Sequence, residues 1–215
     1  LTKNGLATLT LNGANTYTGG TFINAGTLAL GAGASLHANG IVNLASGATF
    51  DLSAGAGTQQ FGTLIGDGTV NLGANTLTIG DATNGTFAGS VAGTGGLIKE
   101  GTGTQTLTGT NTFTGGTTIN AGTLAIGAGG SLAASGAVTL ANAGTAFDIS
   151  AGGNQSIGSL AGVTGSAVSL GGNTLTLGGV GNTAFNGVIG GTGALIKDGA
   201  GVQTLGGANT FTGGV

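Results

Sequence analysis

Short phrases that alternate apolar and polar residues return every twenty or so positions along this chain. That interval restricts the fold more than any other feature. TLAL (Thr27–Leu30), TFDL (Thr49–Leu52) and TVNL (Thr69–Leu72) end 22 and 20 positions apart. Gly26, Gly47 and Gly68, which open these runs, are spaced by 21. A second set ends at Ile126, Ile149 and Leu170, spaced by 23 and 21. Alternation with period two marks a strand with one buried face. Helix is not supported, because Gly and Thr are too frequent and no 3.6-residue period outlasts a turn.

Two architectures use many short strands. A sandwich or barrel repeats them every ~8–12 residues, whereas a parallel β-helix stacks each coil in register on the one before. Stacking like on like requires equivalent residues to recur at coil spacing, and a meander does not. The chain therefore reads as all-β, a parallel β-helix of about ten coils of roughly 20 residues, one solenoid over residues 1–215. With strands ~4.8 Å apart the rod is roughly 50 Å long. Two files should point inward in the first set: Leu28, Phe50, Val70 and Leu30, Leu52, Leu72. The second set offers Leu124, Phe147, Val168 and Ile126, Ile149, Leu170. Outward files are Ala29, Asp51, Asn71 and Ala125, Asp148, Ser169. No carboxylate there opposes another, an arrangement that would repel.

Composition agrees. There are 52 Gly and no Pro, and only 4% of residues are charged against 39% hydrophobic. Disordered chains show the reverse balance, and Pro cannot donate to a ladder. Three Lys, no Arg and six acids give a net charge of −3. No basic stripe exists for nucleic acid or for anionic lipid, and no apolar run reaches the ~18 residues of a membrane helix. Absent Cys excludes a disulfide framework and a thiolate metal site. Without an initiating Met or a signal peptide, the chain is expected to be part of a longer one.

The coils are nested in a longer repeat. Leu97-Ile98-Lys99-Glu100-Gly101 matches Leu195-Ile196-Lys197-Asp198-Gly199, and Leu1-Thr2-Lys3-Asn4-Gly5 is a weaker copy. All three lysines share one repeat position, and 12 residues after each comes an Asn: Asn15, Asn111 and Asn209. Phe50-Asp51-Leu52-Ser53 likewise answers Phe147-Asp148-Ile149-Ser150. The long repeats run approximately 1–96, 97–194 and, incompletely, 195–215, with roughly five coils in each full copy.

Each of those Asn residues opens NTYTGGT, NTFTGGT or NTFTGG. One reading is a corner: Asn takes left-handed backbone or bonds its own turn, the glycines bend, and the aromatic fills the core. Another is a glycan or peptide site built on Asn and the aromatic. The alternation of Thr with the aromatic at strand spacing favours the corner. The series Lys3-Asn4-Gly5, Thr8-Leu9-Thr10-Leu11, NTYTGGT and Ile23-Asn24-Ala25-Gly26-Thr27-Leu28 resembles the passenger-associated β-strand repeat of bacterial autotransporters. It returns from Lys99 to Leu124 and from Lys197 to Gly214. The motif covers about a third of the chain.

The resemblance implies a right-handed parallel β-helix exported across the outer membrane of a Gram-negative bacterium and displayed on the cell or released. It implies a structural and adhesive stalk that supports export-coupled folding, with the membrane engaged only through a translocator barrel outside this sequence. Candidate partners are a second copy of the rod, side to side or end to end, and a host or bacterial surface glycan or protein. An alternative is the subunit of a self-assembling extracellular filament or matrix, and a third is a polysaccharide-acting β-helix enzyme.

The enzyme reading lacks its chemistry. Polysaccharide lyases on this fold resemble clusters of carboxylates around calcium with a basic Arg, and Arg is absent here. Asp51, Asp67 and Asp81 are 16 and 14 residues apart, which misses the coil spacing. A glycosidase pair needs carboxyls ~5–10 Å apart. His37 has no Ser or Asp partner in view and reads as a surface residue. Gly31-Ala32-Gly33 and Gly101-Thr102-Gly103 lead into no helix, so they make no phosphate loop. Gly66-Asp67-Gly68 is a single echo of a calcium nonapeptide. Lys99-Glu100 and Lys197-Asp198 read as exposed turn pairs worth ~0–1 kcal/mol. No catalytic residue, metal ligand or cofactor is expected.

Overall fold

A computed structural model describes residues 1–55 and 57–215. It is a β-solenoid of ten coils in which the paired strands run parallel. Each coil visits three faces in turn. The first face is a ten-stranded sheet running from Thr2–Lys3 to Val188–Gly190. The second is a five-stranded sheet from Leu9–Leu11 to Ser90–Ala92, resumed as a three-stranded sheet of Gln155–Ile157, Leu175–Leu177 and Leu195–Lys197. The third is an eight-stranded sheet from Gln59–Phe61 to Gln203–Leu205. Single bridges, Ala14 to Ser35 and Thr110 to Ser131, continue the third and second faces where no strand forms.

The inward files stand as the spacing requires. Leu28 pairs with Phe50 and Phe50 with Val70, and Leu30, Leu52 and Leu72 are wholly buried. Leu124, Phe147 and Val168 pair in sequence. Strand Thr27–Leu30 shows the cause: its Leu residues are buried and its Thr and Ala only half-buried. The interior is a column of Leu, Ile, Val and Phe, with Phe50 and Phe61 tilted at 52° and their centroids 6.0 Å apart. Outside, the Asn71 amide donates to the Asp51 carboxylate over 3.1 Å. A neutral amide thus meets the charge where a second acid would repel it.

One expectation is sharpened. A full long repeat holds roughly five coils, but not a whole number of them. From Leu1 to Gly96 lie twelve strands and two bridge positions, Ala14 and Ser35; from Leu97 to Ala194 lie twelve more and Thr110 and Ser131. Fourteen stations at three per coil make four coils and two thirds. Each long repeat therefore begins one face away from its predecessor. The interior records this shift. On the first face an inward file reads Lys3, Ile23, Leu44, Gly66, Phe87, Leu107. On the third face the same letters return as Lys99, Ile119, Leu140, Gly162, Phe185, Leu205. Lys197 then sits on the second face, paired with Leu177. At about 4.8 Å per coil, a motif carried by the repeat climbs about 22 Å and turns a third of the way around the rod before it recurs.

Candidate functional site

The recurring NT(Y/F)TGG phrase is the first place to look. Asn111 is 1% exposed and joins three coils. Its Nδ2 donates to the carbonyls of Gly109 (2.8 Å) and Ser131 (3.0 Å), while its Oδ1 accepts from the Val91 N–H (3.1 Å). The amide thus mends the ladder at the station where the second face has no strand. Asn15 donates in the same way to Gly13 and Ser35 on the third face. Asn209 accepts from Ile189 on the first. The three copies occupy three different faces.

The expectation of left-handed backbone at these Asn residues is corrected: among the described residues only glycines have positive φ. The side chain does the work, since an unpaired buried donor or acceptor costs about 1–3 kcal/mol. The paired glycines have separate causes. A Cβ on Gly115 would lie 2.5 Å from the Gly95 carbonyl carbon in the coil below. Gly116 takes φ +84, where a side chain is strained. Phe113 is buried in the core.

The lysines also differ from expectation. They are not exposed turn residues. Lys99 is 1% exposed, in an inward file between Ile79 and Ile119. Its Nζ donates to the carbonyls of Glu100 (2.6 Å), Gly101 (2.9 Å) and Ala121 (3.2 Å). Lys3 bonds the carbonyls of Gly5 and Ala25, and Lys197 that of Gly199. Each ammonium gathers corner carbonyls that a tight turn leaves unpaired, and Lys3 and Lys99 also draw on the next coil. Burial holds Lys99 below the ordinary lysine value, opposed by the charges of Glu100 and Asp81. Glu100 itself accepts from the Asn120 amide over 2.6 Å, one coil on.

Sequence reasoning passed over Gln105 and Gln203. The ladder between strands Leu64–Gly66 and Gly85–Phe87 holds only at Gly66 and Phe87. Gln105 repairs it from two coils away: Nε2 donates to Leu64 O (2.9 Å) and Oε1 accepts from Leu64 N (3.3 Å). Its side chain passes Gly85, where a Cβ would come within 2.9 Å of Oε1. Gln203 bonds Leu160 in the second copy. The available signal was a Gln at inward parity at the same repeat position in two copies.

A model of the passenger-associated-transport-repeat family matches residues 1–30, 97–126 and 195–215. These matches open the three long repeats, and each contains one buried or half-buried Lys and one stitching Asn. Over these three segments the chain is similar to that family. Over 113 residues, half its length, the chain is 38% identical to the adhesin BmaC autotransporter of Brucella suis biovar 1 (strain 1330), of which it spans 3%. No solved structure matches it.

The acids of the chain are dispersed. Asp51 and Asp148 lie on outward strand positions of the second and first faces, and Asp67, Asp81, Glu100 and Asp198 at or beside corners. Among the described residues no group of three His, Cys, Asp or Glu could hold a metal, and no helix could cross a membrane. Asp81 is the acid with the most partners. Partial burial would raise its carboxyl, but hydrogen bonds from the Thr83 hydroxyl and N–H and from Thr63, with the Lys99 charge, hold it below the ordinary value. Gly31-Ala32-Gly33, Gly66-Asp67-Gly68 and Gly101-Thr102-Gly103 lie at or beside turns, and no helix follows them. His37 is half-buried and lines a shallow recess with Tyr17, Leu36, Ile41 and Phe61.

Proposed function

We infer that this rod is the structural and adhesive stalk of its passenger, non-enzymatic, and carried to the surface of a Gram-negative cell or released from it. The observation that carries this reading is the position of the family repeats. Each match covers one asparagine that ties neighbouring coils together, and the first two also cover a lysine that does so, so the matched segments hold coils in register. A solenoid of this kind gains stability coil by coil from nearest neighbours, which suits a chain that folds as it emerges from a narrow exit. The relative named as an adhesin supports the adhesive part. Dispersed carboxylates support a role without catalysis.

The test is display. Fused between an export signal and a translocator barrel, the rod should become accessible to added protease on intact cells. It should also raise attachment of those cells to host-cell monolayers above that of the empty barrel. Surface accessibility without any gain in attachment would leave a stalk and remove the adhesive role.

A further inference from the structure

The two full repeats agree inside and differ outside, and four of the outer differences lie around one corner. We propose that the first repeat carries a binding shelf for a neutral saccharide, formed by Phe22, His37, Ile41 and Asn43 at the corner between the third and first faces. The proposal rests on the adhesive reading above and names the ligand class that this reading leaves open.

At these four stations the second repeat has Thr118, Ala133, Ala137 and Thr139. Phe22 lies between buried Thr21 and Ile23 on its strand, so its ring is on the outer side of the sheet. A Cβ on Gly20 would lie 2.5 Å from Ile41 Cγ2 and 3.5 Å from Phe22 Cε2. The two side chains therefore approach each other over this glycine and form one apolar shelf. Asn43 pairs with Phe22 in the next coil, one strand spacing away. Asn15, Asn75, Asn111 and Asn173 spend their amides on carbonyls of other coils. Asn43 does not: among the described residues its amide donates to nothing. His37 lines one recess with Gly20 and Ile41, and its Nδ1 accepts from the Asn39 N–H over 3.3 Å, which leaves Nε2 as the nitrogen available to a ligand.

An aromatic face flanked by an uncommitted amide and an imidazole suits a pyranose. The C–H face of the sugar covers the ring, and its hydroxyls satisfy the polar groups. The charge pattern selects a neutral sugar. The three lysine ammonium groups and the Leu1 ammonium are each bonded to a backbone carbonyl, while none of the six acids is buried. The Asp81 carboxylate borders this corner: a Cβ on Gly62 would meet both its Oδ2 and the Asn39 carbonyl. A sulfated or sialylated ligand would meet negative charge and no free cation.

The experiment is a titration of the intact chain, ¹⁵N-labelled, with glucose, galactose and mannose oligosaccharides and, separately, a heparin oligosaccharide, followed by NMR. Saturable shifts confined to residues around 20–22, 37–39 and 41–43 are expected with at least one neutral sugar in the millimolar range, and none there with heparin. The quadruple variant F22T/H37A/I41A/N43T should bind at least ten-fold more weakly. It should still fold, because the second repeat already carries these residues at the same stations. The single variant N43T gives a milder check in the same direction. No saturable shift with any neutral sugar, shifts that survive the quadruple substitution, or stronger binding of heparin at the same residues would each overturn the site. Cell attachment by a rod that binds no sugar would sink this shelf and spare the adhesive reading.

Discussion

The first and second long repeats have almost the same interior and stand on different faces of the rod. The file Lys3, Ile23, Leu44, Gly66, Phe87, Leu107 and the file Lys99, Ile119, Leu140, Gly162, Phe185, Leu205 meet the same inner neighbours in the same order, a third of a turn apart. What the repeat preserves is the set of vertical contacts, and it is indifferent to which face carries them. The three faces are thereby shown to be interchangeable as packing environments. The outer positions are not held in this way: Phe22 and Ile65 in one copy answer Thr118 and Ala161 in the other. Register is thus a property of the inside and identity a property of the outside. A rod of such repeats presents each copy's outer surface in a new direction.

The largest effects should test that interchangeability. Phe87→Ala and Phe185→Ala each empty a wholly buried site, and each should lower stability by about 3–5 kcal/mol. Denaturant unfolding of both variants should give losses equal to within about 1 kcal/mol, and a larger gap would mean that the faces pack differently. Next comes the stitch. Asn111→Ala leaves the Val91 N–H without its partner and takes one of two hydrogen bonds from each of the Gly109 and Ser131 carbonyls, which keep their backbone donors, a loss of about 2–3 kcal/mol. Asn15→Ala removes only donors, on a residue half exposed, and should cost about 1 kcal/mol. Hydrogen exchange of the Val91 amide should quicken in Asn111→Ala and stay slow in Asn15→Ala.

The coil spacing, the inward files and the Asp51–Asn71 neighbours could all be read from the sequence, because a strand shows its parity in single letters and coils repeat it. The number of faces could not. Only the runs on one face at a time carried the TLAL type of signal; the others, such as Gln59–Phe61 and Gly85–Phe87, are three residues long and partly polar. Roughly five coils per repeat followed from dividing a length by a spacing, and the fraction needed fourteen stations over three. The lysines misled for a physical reason. A charged residue beside a second charge in a turn is usually solvated, and nothing local reveals three carbonyls converging on its ammonium. Gln105 hid in the same way, since its partner Leu64 is 41 residues away.

A smaller effect would sharpen the comparison at one matched pair. Where the first repeat has Thr63 and Gly85, the second has Ser159 and Thr183. A Cβ on Gly85 would lie 2.4 Å from the Thr63 Cγ2 methyl. Ser159 lacks that methyl, and Thr183 there donates to Gln203 Oε1 over 2.9 Å. Gly85→Thr alone should therefore overpack the first repeat, by about 1–3 kcal/mol. Thr63→Ser added to it should recover most of the loss. A double-mutant cycle that found the two changes additive would show that the exchange of Gly for Thr between the repeats has no steric basis here.

The smallest effect concerns Asp81, an outer charge tied to neighbouring coils. Asp81 has Gly179 as its counterpart, so its contribution belongs to the first repeat alone. Its carboxyl is held below the ordinary value of 3.8, by Thr83, Thr63 and Lys99 against partial burial. A group whose folded value is depressed contributes stability that is fully present above the unfolded value. That contribution is lost as pH falls through the folded one. Asp81→Asn should thus be less stable than the wild type at neutral pH, by under about 1 kcal/mol for so exposed a group. The two stability curves should converge below pH 3.8. Gly179→Asp should create a weaker dependence, because Gly181 stands where the Thr83 hydroxyl donates in the first repeat. A constant offset between wild type and Asp81→Asn down to the acid limit would mean that the side chain acts through its shape and not through its charge.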